Sequence, residues 1–340
     1  MAKLYAESGY IDWDYIYKNS QVYTFVTGGR GTGKTFGLLK YVFDHNLKFV
    51  FLRRTQKQIK MIKNPALNPF NALIANLGDK YAATIKSVGE EVSGVFRDGE
   101  DEPCGLLLPL STISSVRGFD ASNIEVLIYD EFIPEQHEKN IANEGGAFLN
   151  AIETIARNRE LDGKPPLKVF CLANSNKLAN PVYMELKIVN TVYKMFERGQ
   201  SMMSIPERCL TIIHLTGSPI SAKKEATSLY KLAGDSDFSR MALENEFAGV
   251  DDSQVKTRNL KEYRPLVTVG ELTVYRHKNQ RTYYVTEHRQ GEPVTYEANE
   301  ADLLRFRRDW VGLRLAHFGK RVFFENYMMV VLFEKYLNFK

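Results

Sequence analysis

Apolar positions in this chain come first as short blocks and later as looser alternation. Residues 21–26, 48–52, 105–110, 125–129 and 167–173 are runs rich in β-branched, aliphatic and aromatic side chains, the pattern of strands buried on both faces. Between them, residues 36–43, 56–62, 68–77 and 145–156 carry apolar residues at helical spacing, and 84–88 with 92–97 alternate around Gly89 as a hairpin does. Strands alternating with helices predict an open, mostly parallel α/β sheet, whose ligands bind at the C-terminal strand edge. Residues 207–246 then read as a charged, mostly helical connector. From 247 a small α+β domain is expected, with strands at 266–276 and 282–286 about a turn at 277–281, and helices at 302–315 and 325–337. The expected domains are therefore 1–206, 207–246 and 247–340.

At 340 residues the chain is long enough for a full core and about two domains. Its longest apolar runs are too short to span a bilayer, and residues 1–7 lack the apolar core of a signal peptide, so a cytosolic protein is expected. Cys104, Cys171 and Cys209 are odd in number, widely spaced and without Cys or His neighbours. Buried, reduced thiols fit better than disulfides or zinc. A net charge of +4 permits a polyanionic partner without requiring one.

The chemistry centres on Thr27-Gly28-Gly29-Arg30-Gly31-Thr32-Gly33-Lys34-Thr35. Gly28, four residues, then Gly33-Lys34-Thr35 is the spacing of a phosphate-binding loop, and it lies between a predicted strand and a predicted helix. Glycines let successive N–H groups curl round phosphates, and the helix N-terminus adds partial positive charge. Lys34 then reaches the β- and γ-phosphates of ATP, while the Thr35 hydroxyl holds Mg²⁺. A second signal is the apolar run ending in Asp130-Glu131. One acid there serves the metal, and the next polarises the attacking water. Asn174, after the strand at 167–173, is either a sensor of the γ-phosphate or a turn residue. Asp12 to Tyr17 either line a base pocket or pack the core. Lys57, Lys60 and Lys63 either meet the phosphates of a polyanion or form a solvated helix face.

Together these residues resemble the DNA packaging ATPases, or encapsidation proteins, of small short-tailed phages of the phi-twenty-nine type. The resemblance rests on 25–34, Leu52-Arg53-Arg54, Pro109-Leu110-Ser111, Asp130-Glu131-Phe132-Ile133, Arg157-Asn158-Arg159-Glu160 and Leu172-Ala173-Asn174, with a weaker match over 241–247. It implies a P-loop ATPase core of the additional-strand, catalytic-glutamate class and a vestigial ribonuclease-H-like C-terminal domain. It also implies a homomeric, pentameric ring, in the host cytoplasm and transiently at the prohead portal vertex, that drives double-stranded DNA inward. Some members also use a packaging RNA. Carried over by position, Arg157 matches an arginine finger acting on the neighbouring subunit's ATP. Arg117 falls where the family has a basic residue acting in trans, with arginine where lysine is expected. Residues 266–269 carry no inward acid for a two-metal nuclease, and Glu271, Glu287 and Asp302 are scattered. Two other readings remain at this stage: a helicase or terminase with an active nuclease, and a nucleotide-switched assembly protein without turnover.

Overall fold

The computed structural model describes residues 4–116, 121–135, 138, 141–236, 239, 242–243, 247 and 250–338. They divide between two units, one spanning Met1–Ile188 and Lys194–Ala248, the other Val189–Tyr193 and Gly249–Lys340. The first is built on nine described strands: β1 (Tyr23–Gly28), β2 (Phe49–Arg53), β3 (Ala83–Ser87), β4 (Ser93–Arg97), β5 (Gly105–Pro109), β6 (Val126–Asp130), β7 (Lys168–Ala173), β8 (Met202–Ile205) and β9 (Leu210–Leu215). They form one mixed α/β sheet in the order β3-β4-β5-β2-β6-β7-β1-β9-β8. The six strands from β5 to β9 in that order pair in parallel, and antiparallel strands flank them. β7 thus separates the strand leading into the glycine loop from the strand ending in Asp130.

Helices α1 (Trp13–Asn19), α2 (Lys34–Asp44), α3 (Gln56–Lys63) and α4 (Phe70–Leu77) cover one face. There Trp13, Ile16, Leu38 and Val42 meet Val26, Phe49, Phe51, Ile128 and Phe170. On the other face the ring of Phe25 packs edge-on against Phe132 and Tyr183, and Tyr129 stacks on Phe148. This is the side of α5 (Glu144–Ala156) and α6 (Pro181–Glu185). Adjacent β1 residues face opposite sides, so a central strand is mainly apolar, and the buried Thr24 and Thr27 hydroxyls of β1 are bonded to the Gln21 and Ile213 carbonyls.

The stretch from 207 is not a helical connector at its start. Leu210–Leu215 is wholly buried and pairs in parallel with β1, so the sheet continues past the boundary expected at 206. Its run of apolar and β-branched residues is a strand signal that the flanking charges obscure. Helix does follow, as α8 (Pro219–Glu225) and α9 (Ser228–Ala233). Cys104 and Cys171 are buried as expected, whereas Cys209 is exposed, because it forms the turn before β9 at φ 49°.

Helix α7 (Val189–Glu197) carries residues of both units. The second unit holds β10 (Tyr263–Val269), β11 (Leu272–His277), β12 (Tyr283–Thr286), β13 (Val294–Tyr296) and β14 (Val322–Phe324), in the order β13-β10-β11-β12-β14. Its helices are α10 (Glu300–Asp309), α11 (Val311–Phe318) and α12 (Tyr327–Leu337). The single strand expected over 266–276 is a hairpin, turned at Gly270 with φ +51°. The helix expected over 302–315 is two, because Trp310 leaves helical geometry at φ −118° and ψ 31°.

Candidate active site

Parallel registry brings the C-terminal ends of β1, β6 and β7 level. Asp130 lies beside Leu172, and Ala173 beside Thr27. β1 passes into the glycine loop, where a side chain at Gly28 would collide with Leu215 of β9. Gly31 and Gly33 are left-handed at φ +69° and +89°, which lets the loop fold back and start α2 at Lys34. Trp13 supports it from beneath, donating from Nε1 to the Gly33 carbonyl at 3.4 Å and filling the space beside Gly37. Core packing, rather than a base pocket, is therefore the role seen for Trp13.

Lys34 is buried, and its ammonium is folded into its own loop. It donates to the carbonyls of Gly28 at 2.9 Å and Gly29 at 2.7 Å, and more weakly to Asn174 Oδ1 at 3.3 Å. Burial lowers its pKa to about 7; Asp130 and Glu131 oppose that shift, while Lys224 and Arg30 add to it. Next to it, the Thr35 hydroxyl donates to Asp130 Oδ1 at 2.9 Å. The glycine loop and the ends of β6 and β7 therefore meet at two consecutive residues.

Asp130 is 3% exposed. Its other oxygen pairs with Arg53 at 2.9 Å, and the same guanidinium also pairs with Glu131. Glu131 is the first residue beyond β6 and is half exposed. The chain turns straight back into the core at Phe132, whose N–H donates to Leu172, and this turn holds Glu131 at φ 59°. Loss of solvent raises the Glu131 pKa, Arg53 counteracts it, and Asp130, Glu138 and Glu135 reinforce it. The Thr32 hydroxyl closes the loop onto Gly29, and Arg30 at the rim pairs with Glu135.

Two expected residues stand elsewhere. Arg157 does not continue α5 but caps it, exposed, at φ 47°, with its N–H on Glu153. The other end of α5, about 20 Å away for 13 residues, is Glu144, buried against Arg54 and Tyr129. Arg117 lies outside the described residues. Arg159, two residues on, is buried and donates to the Ile124 carbonyl.

Sequence reasoning did not assign roles to Arg53 or Arg54. The signal was two arginines ending a strand, where alternation sends one to each face. Arg53 is level with Asp130, because Leu52 pairs with Tyr129. Lys57 and Lys60 are exposed on α3, opposite the buried Ile59 and Ile62, while Lys63 bonds Ser87 at 2.7 Å.

In the second unit the acids serve separate places. Glu271 is in the hairpin turn, and Asp302 accepts from the Glu297 N–H at the start of α10. Glu287, His288 and Glu325 bring donor atoms within 4.8 Å of one another. Glu325 already accepts from the Thr286 hydroxyl at 2.6 Å, so it ties the end of β12 to that of β14. No helix among the described residues is long and apolar enough to cross a membrane.

Comparison with known proteins adds a consistent picture. The family model described as Podovirus DNA encapsidation protein (Gp16) matches residues 6–296. The DNA packaging proteins of Bacillus phage phi29 and Bacillus phage PZA are each 26% identical over 295 residues, which covers 83% of this chain and 80% of each relative. The fold is similar to that in the bacteriophage Phi-29 viral genome packaging motor assembly, with TM-score 0.65, 20% identity, and coverage of 96% of this chain and 99% of that one.

Proposed function

The chain belongs to the podovirus DNA encapsidation protein family, and from that premise we propose that it is an ATPase driving double-stranded viral DNA into a preformed prohead. The observation carrying this reading is the meeting of Lys34 and Thr35 with Asn174 and Asp130, from three separate strand ends, at one glycine loop. The first unit is then a P-loop core of the additional-strand, catalytic-glutamate class, in keeping with β7 between β1 and β6.

The residues fit a nucleoside triphosphate and a divalent cation. Lys34 is an ammonium held on carbonyl oxygens, which a phosphate replaces at no loss of hydrogen bonds. The loop from Gly28 to Gly33 offers backbone N–H groups, and Thr35 with Asp130 offers hard oxygen ligands for Mg²⁺. Bound Mg²⁺ neutralises charge on the β- and γ-oxygens. Glu131 orients the attacking water and takes its proton, a role that a raised pKa suits. Asn174 orients the γ-phosphate. Arg157, and Arg117 by the family match, act on the ATP of a neighbouring subunit in a homomeric ring, a pentamer. The ring meets the portal directly or through a packaging RNA. The second unit is the vestigial, ribonuclease-H-like part.

The test is ATP turnover by the full chain, with and without duplex DNA, followed by a gel of that DNA. Wild type is expected to hydrolyse ATP faster with duplex present and to leave it uncut. Glu131→Gln keeps nucleotide binding and loses about 10²- to 10⁴-fold in turnover. A wild-type rate in Glu131→Gln removes Glu131 as the base. Binding without any wild-type turnover leaves the nucleotide-switch reading in its place.

A further inference from the structure

Helix α8 follows β9 and returns to the glycine loop. Pro219 opens it, the buried Ile220 anchors it against Gly9, and Lys224 follows Ile220 by four residues on the same helix face. The Lys224 ammonium donates to the Arg30 carbonyl at the tip of the loop. A Cβ added to Gly31 would come within 2.7 Å of Lys224 Nζ and 3.0 Å of its Cε. Its neighbour Lys223 is exposed. The same N-terminal turn that seats α8 also supports the loop, since the Ile11 N–H donates to the Thr32 carbonyl.

We propose that Lys224 is a second phosphate ligand of this site, brought to the loop by α8 and binding the polyphosphate of a nucleoside triphosphate together with Lys34. The proposal rests on the nucleotide reading above. Lys34 and Lys224 both hold peptide carbonyls of one short loop, neutral partners rather than counter-charges, although Asp130 and Glu131 also act on Lys34. Arg30, on the same loop, adds a third cation, although Glu135 offsets it. Burial lowers the pKa of Lys224, in line with a cation held partly out of water beside the loop. Exchanging a carbonyl for a phosphate oxygen converts a charge–dipole bond into a charge–charge one.

The experiment measures affinity for a fluorescent ATP analogue with Mg²⁺ in wild type, Lys224→Gln, Lys224→Arg, Lys223→Gln and Lys34→Ala. Glutamine keeps an N–H donor for the Arg30 carbonyl, so a merely structural role survives in Lys224→Gln. Expected is a loss of about tenfold or more in Lys224→Gln, most of the affinity kept in Lys224→Arg, and no change in Lys223→Gln. Nucleotide-free melting temperatures of the two Lys224 variants are expected to match wild type. The proposal is overturned if Lys224→Gln binds as wild type does while Lys34→Ala does not, and the nucleotide site itself then stands. If wild type does not bind the analogue at all, both readings fall.

Discussion

Removing the carboxylate of Glu144 is expected to destabilise the first unit more than any surface change near the site. Arg54 is 1% exposed, and its guanidinium meets Glu144 through two parallel bonds of 2.6 and 2.9 Å. Glu144 also accepts from the Tyr129 hydroxyl at 3.0 Å and from the Ile141 N–H at 3.3 Å. In Glu144→Ala the arginine keeps Glu138, a partner that is itself partly solvated, while the buried Tyr129 hydroxyl and the half-buried Ile141 N–H lose their acceptor. Breaking a buried pair from one side costs about 3–5 kcal/mol, because the remaining charge stays out of water. For a unit of this size, about 2–4 °C per kcal/mol converts that into a fall of roughly 10 °C in Tm. Replacing both partners, as Arg54→Met with Glu144→Leu, is expected to recover most of the loss, since no charge is then buried. Urea unfolding followed by Trp13 fluorescence in a Trp310→Phe background reports on this unit, as these are the two tryptophans of the chain. A single-variant cost below about 1 kcal/mol, or a double variant no better than the sum of the singles, refutes the reasoning.

Three further outcomes are expected. Lys34 has its pKa lowered to about 7 in the nucleotide-free site, and a bound triphosphate holds it charged. Nucleotide binding above pH 7 therefore takes up a proton, and calorimetry at pH 8 in buffers of differing ionisation enthalpy detects it; a flat dependence on buffer counts against it. Arg157→Ala and Glu131→Gln are each expected to be nearly inactive, yet to regain part of the ATPase rate when mixed. Mixed rings that form and stay inactive remove Arg157 from any role in trans. Charge reversal at the exposed Lys57 and Lys60 is expected to weaken duplex binding and flatten its salt dependence, whereas an unchanged slope makes them a solvated face.

The central strands and the glycine loop are legible because a strand buried on both faces is mainly apolar, with polar residues such as Thr24 and Thr27 admitted only where they are bonded. The change at Asp130 and Asn174 from apolar to polar marks where the sheet ends and the site begins. Arg53 was not assigned, since its part depends on Leu52 standing beside Tyr129, a register that no local pattern encodes. β9 is hidden for a different reason: its six strand-like residues stand next to a charged stretch with helical character. The break at Trp310 is also tertiary, because residues on both sides keep helical spacing while the backbone between them does not.

The turn at Cys209 has a practical consequence. Of the chain's three thiols, only this one is exposed, so a maleimide dye attaches at one position without mutagenesis. It precedes β9, whose six residues run about 20 Å to the level of the glycine loop. A reporter there stands at the far end of the sheet from the chemistry, close enough for energy transfer to a labelled nucleotide and remote enough not to obstruct it.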